Sequence, residues 1–472
     1  MNTTVLVGST IVMMSILAIG LYAGLKVKTG KDFFIAGGKQ GYVPIIATQV
    51  ATGLGSGTML GWVGFGYVYG FGVMFYGLSA IIGMLVLVFA AGKFMQKNNI
   101  YTIPDWLTTS LGEDKWLRAI SAIMAMWVLV AAWAAMTVGT GTILNQLTGF
   151  PVQYGAIIGG LLVIVYCAIG GLVAVIKTDI LCFFFLWLGV IIVLPIALNL
   201  GGGVSNVIAF QPTENLSIFP PIAVAIAWFI AVAPGQLTTQ TYYQRFAASK
   251  DSKVVMWGIY GTVIAVVVVG LYAAFAGMAI RVINPTDLAA PQLAIPWFVT
   301  NKIHPFAAIF ILGGILAAIV STSDSMLNSS SSNVARDFYK CLINPEATDA
   351  DMLRVGRIAT VIIGLVGIII AVLTPFIMPL IMGGYGVSAS ALVFPLFLAH
   401  FWKGTTKTGA ITGMIGGFVI AFPATFVPAL GAWISTYLYN PVITALTVSL
   451  ILTVVVSLAT KKDASADVQS AS

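Results

Sequence analysis

The chain is 472 residues long, 59% hydrophobic and only 8% charged, with a formal net charge of +7. A soluble domain is about a quarter charged, so this composition excludes one and places the chain in lipid. The basic balance needs no nucleic acid partner, because it follows from how the lysines and arginines are arranged about the membrane.

An apolar run of roughly 20 residues spans a bilayer as a helix. Thirteen such runs are predicted, near 4–25, 43–68, 72–92, 118–146, 152–174, 178–200, 221–243, 254–281, 304–332, 353–373, 376–400, 407–428 and 439–460. Backbone polar groups in lipid must be paired internally, so the runs are helices. The alternating pattern of an outer-membrane barrel is absent. The first run lacks a basic n-region and a clear cleavage site, so it reads as a retained helix rather than a signal peptide. An odd number of spans puts the termini on opposite sides. With the N-terminus outside, every Lys and Arg except Arg281 and Lys302 falls on the cytoplasmic side, as the positive-inside rule requires. The polar tail KKDASADVQSAS is expected to be disordered.

Several function classes drop out. The longest stretches outside the membrane, near 201–220 and 282–303, are too short for a catalytic domain. No GxxxxGK[ST] loop is present, which argues against an ATP-driven pump. Cys167, Cys182 and Cys341 lack metal spacing, a disulfide is not expected, and His304 and His400 are far apart. No nucleophile–base pair lies in the spans, so no enzyme and no transition-metal site are expected.

Two spans look interrupted. Ala51–Gly57 (ATGLGSG) lies in the second span and Ala233–Thr239 (APGQLTT) in the seventh. Glycine and proline weaken a helix there and free backbone groups. Paired broken helices mark midplane binding sites in many transporters. Their spacing implies that spans two to six and seven to eleven are inverted repeats of five helices, with one helix before and two after. The expected organisation is an N-terminal helix and loop (1–42), a first repeat (43–200), a second repeat (201–402), two C-terminal helices (403–460) and the tail (461–472). Close helix packing by small residues is the alternative reading of either glycine-rich segment.

The candidate ion site follows from these breaks. Na⁺ is a hard cation that wants oxygen ligands from several elements. Ala51 and Leu54 sit at the first break, while Ala318, Ser321 and Thr322 lie together on the ninth span. Asp179 ends the apolar stretch YCAIGGLVAVIKTD, and a carboxylate at that depth is expensive enough to suggest function. It could hold a second ion, or relay one, beside Ser321 and Thr322. The alternatives are back-bonding of the two hydroxyls to their own helix and helix capping by Thr178 or Asp179. Asp324 lies nearby as a gate or packing residue.

These residues resemble the sodium:solute symporters over about 30–460. The likeness rests on Gly170-Gly171-Leu-Val-Ala-Val with Thr178-Asp179, on Ser321-Thr322-Ser-Asp-Ser followed by Asp337-Phe-Tyr, and on Asp32-Phe-Phe-Ile-Ala-Gly-Gly. The resemblance implies an all-α membrane protein with a leucine-transporter-like 5+5 inverted repeat. It further implies Na⁺-coupled import of a small polar solute by alternating access. It puts the common Na⁺ site at Ala51, Leu54, Ala318, Ser321 and Thr322, and a second Na⁺ at Asp179. Tyr242-Tyr-Gln-Arg245, Ser321–Arg336 and Lys403–Ala410 look most like the choline branch. Choline members cage a quaternary ammonium with aromatic faces, but two of those positions are Gly53 and Thr239 here, with Trp133 as a third. Lys177 also departs from the bulky aromatic found before the family's Thr-Asp. Gln236, Thr239, Gln240 and Tyr243 are expected to line the solute pocket, with Gly53, Thr58 and Trp133 facing it. The rival readings are an uncoupled facilitator, a quaternary-ammonium symporter and a membrane sensor. Oligomeric state stays open.

Overall fold

The computed structural model describes residues 3–285, 288–438 and 440–470, apart from the side chains of residues 56–59, 428 and 462–470. All named elements among the described residues are helical. In chain order they are α1 (Thr3–Gly24), α2 (Gly30–Ile35), α3 (Tyr42–Gly53), α4 (Ser56–Tyr69) and α5 (Val73–Lys97). There follow α6 (Ile103–Leu111), α7 (Lys115–Thr148), α8 (Val152–Leu200), α9 (Gly203–Ala209), α10 (Ile222–Leu237), α11 (Gln240–Ala248) and α12 (Ser252–Ile283). The rest comprises α13 (Ala294–Lys302), α14 (Pro305–Ser332), a π-helix (Asn333–Ile343), α15 (Asp349–Leu373), α16 (Ile377–Phe401), α17 (Lys407–Phe426), α18 (Pro428–Leu438) and α19 (Pro441–Ser470).

Among the described residues, eleven candidate spans are long and apolar enough to cross a membrane. Two of them fold back on themselves. The 49 residues of α8 would reach about 73 Å as a straight helix, against a hydrocarbon core of about 30 Å. Gly171 breaks α8 with φ 56° and ψ −169°, a backbone region that a side chain resists. Beyond it the chain reverses, since Tyr166 Oη lies 3.5 Å from Thr178 Oγ1. A turn at Gly70–Gly72 likewise brings the Trp62 and Tyr76 rings to 5.5 Å across the α4–α5 joint.

The core forms around α14, which packs against α1, α7, α8 and α15. Its residues from Leu316 to Ser332 are all buried, including a run of hydroxyls. On the other side α12 packs against α3, α4 and α5, while α16 packs against α7 and α10. The terminal pair α17 and α19 lie against each other and against α16. The polar tail expected to be disordered continues α19 as helix to Ser470. Extending a formed helix costs far less than nucleating one.

One end of the bundle is clamped by buried charge. The Arg118 guanidinium reaches Asp105 at 3.0 Å, Glu113 at 3.0 Å and Asp337 at 2.7 Å. Arg336 reaches Asp105 at 3.1 Å and lies 3.9 Å from the Tyr101 ring centroid. The network ties α6 to α7 and to the π-helix. Burial, opposed by Arg336, pushes the Tyr101 phenol up to about 12, so it stays protonated near neutral pH.

The turn at Gly171 gives a test. A Cβ there would sit 2.5 Å from Phe33 Cδ2 and 2.9 Å from the Phe33 carbonyl oxygen, on top of the backbone strain of about 1–3 kcal/mol. Gly171→Ala is expected to lower the melting temperature of the purified protein. Gly189→Ala, whose Cβ meets nothing nearer than 3.9 Å, should melt like the parent. Equal melting of both variants would contradict the account of the turn.

Candidate functional site

Both expected interruptions are present, each at a sharply defined point. The first lies at Leu54–Gly55, between α3 and α4, where Gly55 adopts φ −32° and ψ 149°. The second lies at Thr238–Thr239, between α10 and α11. Pro234 sits inside α10, one turn before the second break.

Facing the first break, the Thr322 hydroxyl points to the Ala51 carbonyl at 3.5 Å. A side chain at Gly55 would lie 2.7 Å from Thr322 Oγ1, so glycine lets α14 approach the broken end. Leu54 is fully buried beside it, and Ala318 lies one turn before Thr322 on α14. Ser321 turns the other way. It donates to Asp179 Oδ1 at 2.5 Å and lies 3.0 Å from Thr178 Oγ1.

Asp179 is fully buried well inside the second half of α8, so it does not cap a helix start. Its other oxygen accepts from Thr48 at 2.6 Å. Thr178 is the back-bonded residue of the pair, donating to Ala174 O at 3.1 Å or Val175 O at 3.0 Å. The carboxylate therefore links α8, α3 and α14 through side chains alone.

A residue passed over in the sequence completes this cluster. Arg245 of α11 is 2% exposed and sends Nη2 to Ser325 Oγ at 2.7 Å and to Thr52 Oγ1 at 2.8 Å. The same atom lies 3.3 Å from Thr48 Oγ1, which bridges it to Asp179. Nη1 donates to the Thr241 carbonyl at 3.2 Å. The available signal was a lone arginine inside the apolar run Ile222–Ala248. Asp324 is also fully buried, and neither of its oxygens has a nitrogen or oxygen partner among the described residues. The Cys167 thiol is its side-chain neighbour. Asp179 and Arg245 balance one another across Thr48, and Asp324, without an ion-pair partner among the described residues, adds a carboxyl to the cluster.

The expected solute residues divide. Gln236 accepts from Tyr242 Oη at 2.7 Å and donates to Tyr385 Oη at 3.1 Å. Gly53 faces the same point, since a Cβ on it would lie 3.9 Å from Tyr242 Oη. Tyr76 lies near both Tyr242 and Tyr385, and Trp62 packs edge-on against it. Tyr76, Tyr385 and Trp62 were not singled out in the sequence.

The other candidates lie elsewhere or are tied up locally. Thr239 bonds back to Gly235 O at 2.9 Å. Gln240 accepts from Ile103 N at 3.3 Å and donates to Ser329 O at 3.1 Å, stapling α11 to α6 and α14. Tyr243 bonds Leu237 O at 2.7 Å and packs by Trp106. Trp133 fills the α7–α15 joint, donating to Gly364 O at 3.0 Å and lying over Gly367. The Thr58 side chain lies outside the described residues. Among the described residues no group of three or more His, Cys, Asp or Glu side chains is placed to hold a metal ion.

Charge balance makes a prediction. Arg245→Gln leaves the buried Asp179 carboxylate uncompensated and is expected to cost about 3–5 kcal/mol, read as a fall in melting temperature. Adding Asp179→Asn should recover part of that loss. A double variant no better than Arg245→Gln would show that the two charges do not compensate each other.

The chain is similar over most of its length to known transporters. The sodium:solute symporter family model matches residues 33–417. The chain is 27% identical to a sodium/glucose cotransporter of Vibrio parahaemolyticus, covering 89% of this chain and 84% of that one. It is 26% identical to the sodium/pantothenate symporter of Escherichia coli K12, covering 93% of each chain. A sodium/proline symporter of Staphylococcus aureus is also 26% identical, over 95% of this chain and 91% of its own. Among solved structures, a Na⁺-coupled sialic acid symporter in a substrate-bound outward-open state superposes with a TM-score of 0.79 at 19% identity, covering 96% of this chain and 97% of that one. The nucleobase-cation-symport-1 family transporter Mhp1 superposes at 0.58 with 15% identity, covering 93% and 96%. The chain belongs to the sodium:solute symporter family.

Proposed function

We propose that Na⁺ binds between the first helix break and α14, and that a small polar solute binds beside the second break. Membership of the family makes the protein a membrane symporter that couples a small solute to Na⁺. The observation that carries the site assignment is the approach of Thr322 to the broken end of α3. Ala51, Leu54, Ala318 and Thr322 supply carbonyls and a hydroxyl to one Na⁺. Ser321, expected at that site, turns toward Asp179 instead and joins the carboxylate in holding a second.

The solute site is the ring of Gly53, Gln236, Tyr242, Tyr385, Tyr76 and Trp62. It offers one carboxamide, three phenols and an indole, and no ionised side chain. The Trp62 indole N–H is buried without a partner among the described residues, so a solute acceptor there would satisfy it. A small neutral or zwitterionic solute fits this chemistry, and the protein moves it without altering it.

The two turned helices bring the eleven candidate spans to thirteen passages. Residues 43–200 and 201–402 then form the two repeats, and the distribution of Lys and Arg sets the N-terminus outside. On the cytoplasmic side of the breaks, α11 is stitched to α14 by Arg245–Ser325, Gln244–Ser329 and Gln240–Ser329. Asn328 reaches the Phe33 carbonyl at 2.8 Å from the same helix. Inward release must separate these contacts. Na⁺ and solute bind to the outward-facing protein and each raises the other's affinity, as linkage demands.

Thermal stability of the purified protein against a solute library, in Na⁺ and in K⁺, tests the reading. A ligand of the native state stabilises it by mass action. The transported solute is expected to stabilise in Na⁺ only, and Thr322→Val should raise the Na⁺ concentration needed by about tenfold, the worth of roughly 1.4 kcal/mol. Unchanged Na⁺ dependence in Thr322→Val would overturn the site.

A further inference from the structure

A cavity of 450 Å³ opens at the clamped end of the bundle, on the face placed in the cytoplasm. It lies between α2, the start of α7, the π-helix and the start of α15. Lys31, Arg118, Arg336 and Lys340 all border it, against one bordering carboxylate, Asp349. Asp349 already accepts from Gly30 N at 2.8 Å. Arg118 is spent on the three carboxylates behind it. Arg336 makes one ion pair and sits over the Tyr101 ring. Lys31 and Lys340 are exposed and make no ion pair among the described residues. Exposed lysines on a cytoplasmic face are ordinary. A cavity that they border together with a half-used guanidinium is not explained by topology.

We propose that this cavity binds the phosphate of a phosphoester, and that the bound anion braces the inner side of the transporter. Phosphate suits it because its several oxygens can meet separate cations, and a guanidinium fork matches phosphate geometry. Phe34, Ile35 and Met352 border the same space and give an apolar surface for the group that carries the phosphate. The volume lies within the roughly 300–1,000 Å³ of small-molecule sites and is far larger than a lone phosphate needs. A soluble nucleotide and an anionic phospholipid headgroup share this chemistry.

The position supplies the consequence. Lys31 lies on α2, whose chain leads directly into α3, the inner half of the first broken helix. Arg336 and Lys340 lie on the π-helix that continues α14. An anion held between them ties the segment that must move to the helix it must leave. Its occupancy therefore slows inward opening. The proposal stands apart from the Na⁺ and solute sites and involves none of their residues.

The test uses the full chain in phosphatidylcholine nanodiscs. Adenosine monophosphate is added to one arm, with adenosine as its phosphate-free control, and phosphatidylglycerol is built into the other. Melting is followed in K⁺ without solute, so the outcome does not depend on Na⁺ coupling. One arm or both should raise the melting temperature, and Lys31→Gln with Lys340→Gln should weaken the effect about tenfold. A response to the nucleotide alone places the ligand in solution, and a response to the lipid alone places it in the membrane. No response in either arm, or an equal response in the double variant, overturns the site. The effective ligand should also slow Na⁺-driven uptake, and unchanged uptake at saturating ligand would overturn the bracing role.

Discussion

The structure depends on keeping a carboxylate charged at membrane depth. Asp179 has no water to solvate it, and burying an unpaired charge costs far more than any single helix contact returns. Three elements meet that cost together. Thr48 and Ser321 donate to the two carboxylate oxygens from α3 and α14, while Arg245 supplies the opposite charge from α11. The inner halves of both broken helices are thus held to the central helix by one polar cluster. An ion bound beside Asp179 would change how strongly α3, α11 and α14 are held together, which is the physical content of coupling.

The apolar packing serves this arrangement. The chain turns at Gly171 so that Asp179 faces α3 and α14 rather than lipid. Gly55 brings Thr322 against the first break. Neither glycine contributes a contact of its own, and each matters because a side chain in its place would push two backbones apart. The hydroxyl-rich end of α14 is buried along its whole length, and its polar groups are met by Gln240, Gln244 and Arg245 of the opposing half-helix. That polar seam can exchange partners without exposing apolar surface, as a moving interface requires.

Much of this was legible in the sequence because the signals were chemical. The breaks at Leu54 and Thr238 follow from glycine and proline in apolar runs. The Ala51–Thr322 pairing follows from oxygen-rich segments facing one another, and Asp179 stood out by its cost. Other features depended on which way a face turns. Trp133 looked like a pocket aromatic but fills a helix joint, because an apolar helix buried on most sides carries no periodicity to show which neighbour it meets. Gln240 and Tyr243 lie just past the second break, where a residue's direction depends on the break's angle. Arg245 was readable by the same rule as Asp179, yet the stretch around it drew notice only as a resemblance. The ring of Tyr76, Tyr385 and Trp62 joins α5, α16 and α4, which no local pattern connects.

Direct tracer binding of Na⁺ to the purified protein, in the parent and in Asp179→Asn, tests the central claim most directly. The account predicts that the variant loses one bound Na⁺ per chain while the ion at Thr322 remains. Equal Na⁺ stoichiometry and affinity in the two proteins would show that the carboxylate holds no ion, and would reduce the Asp179 cluster to a structural tie.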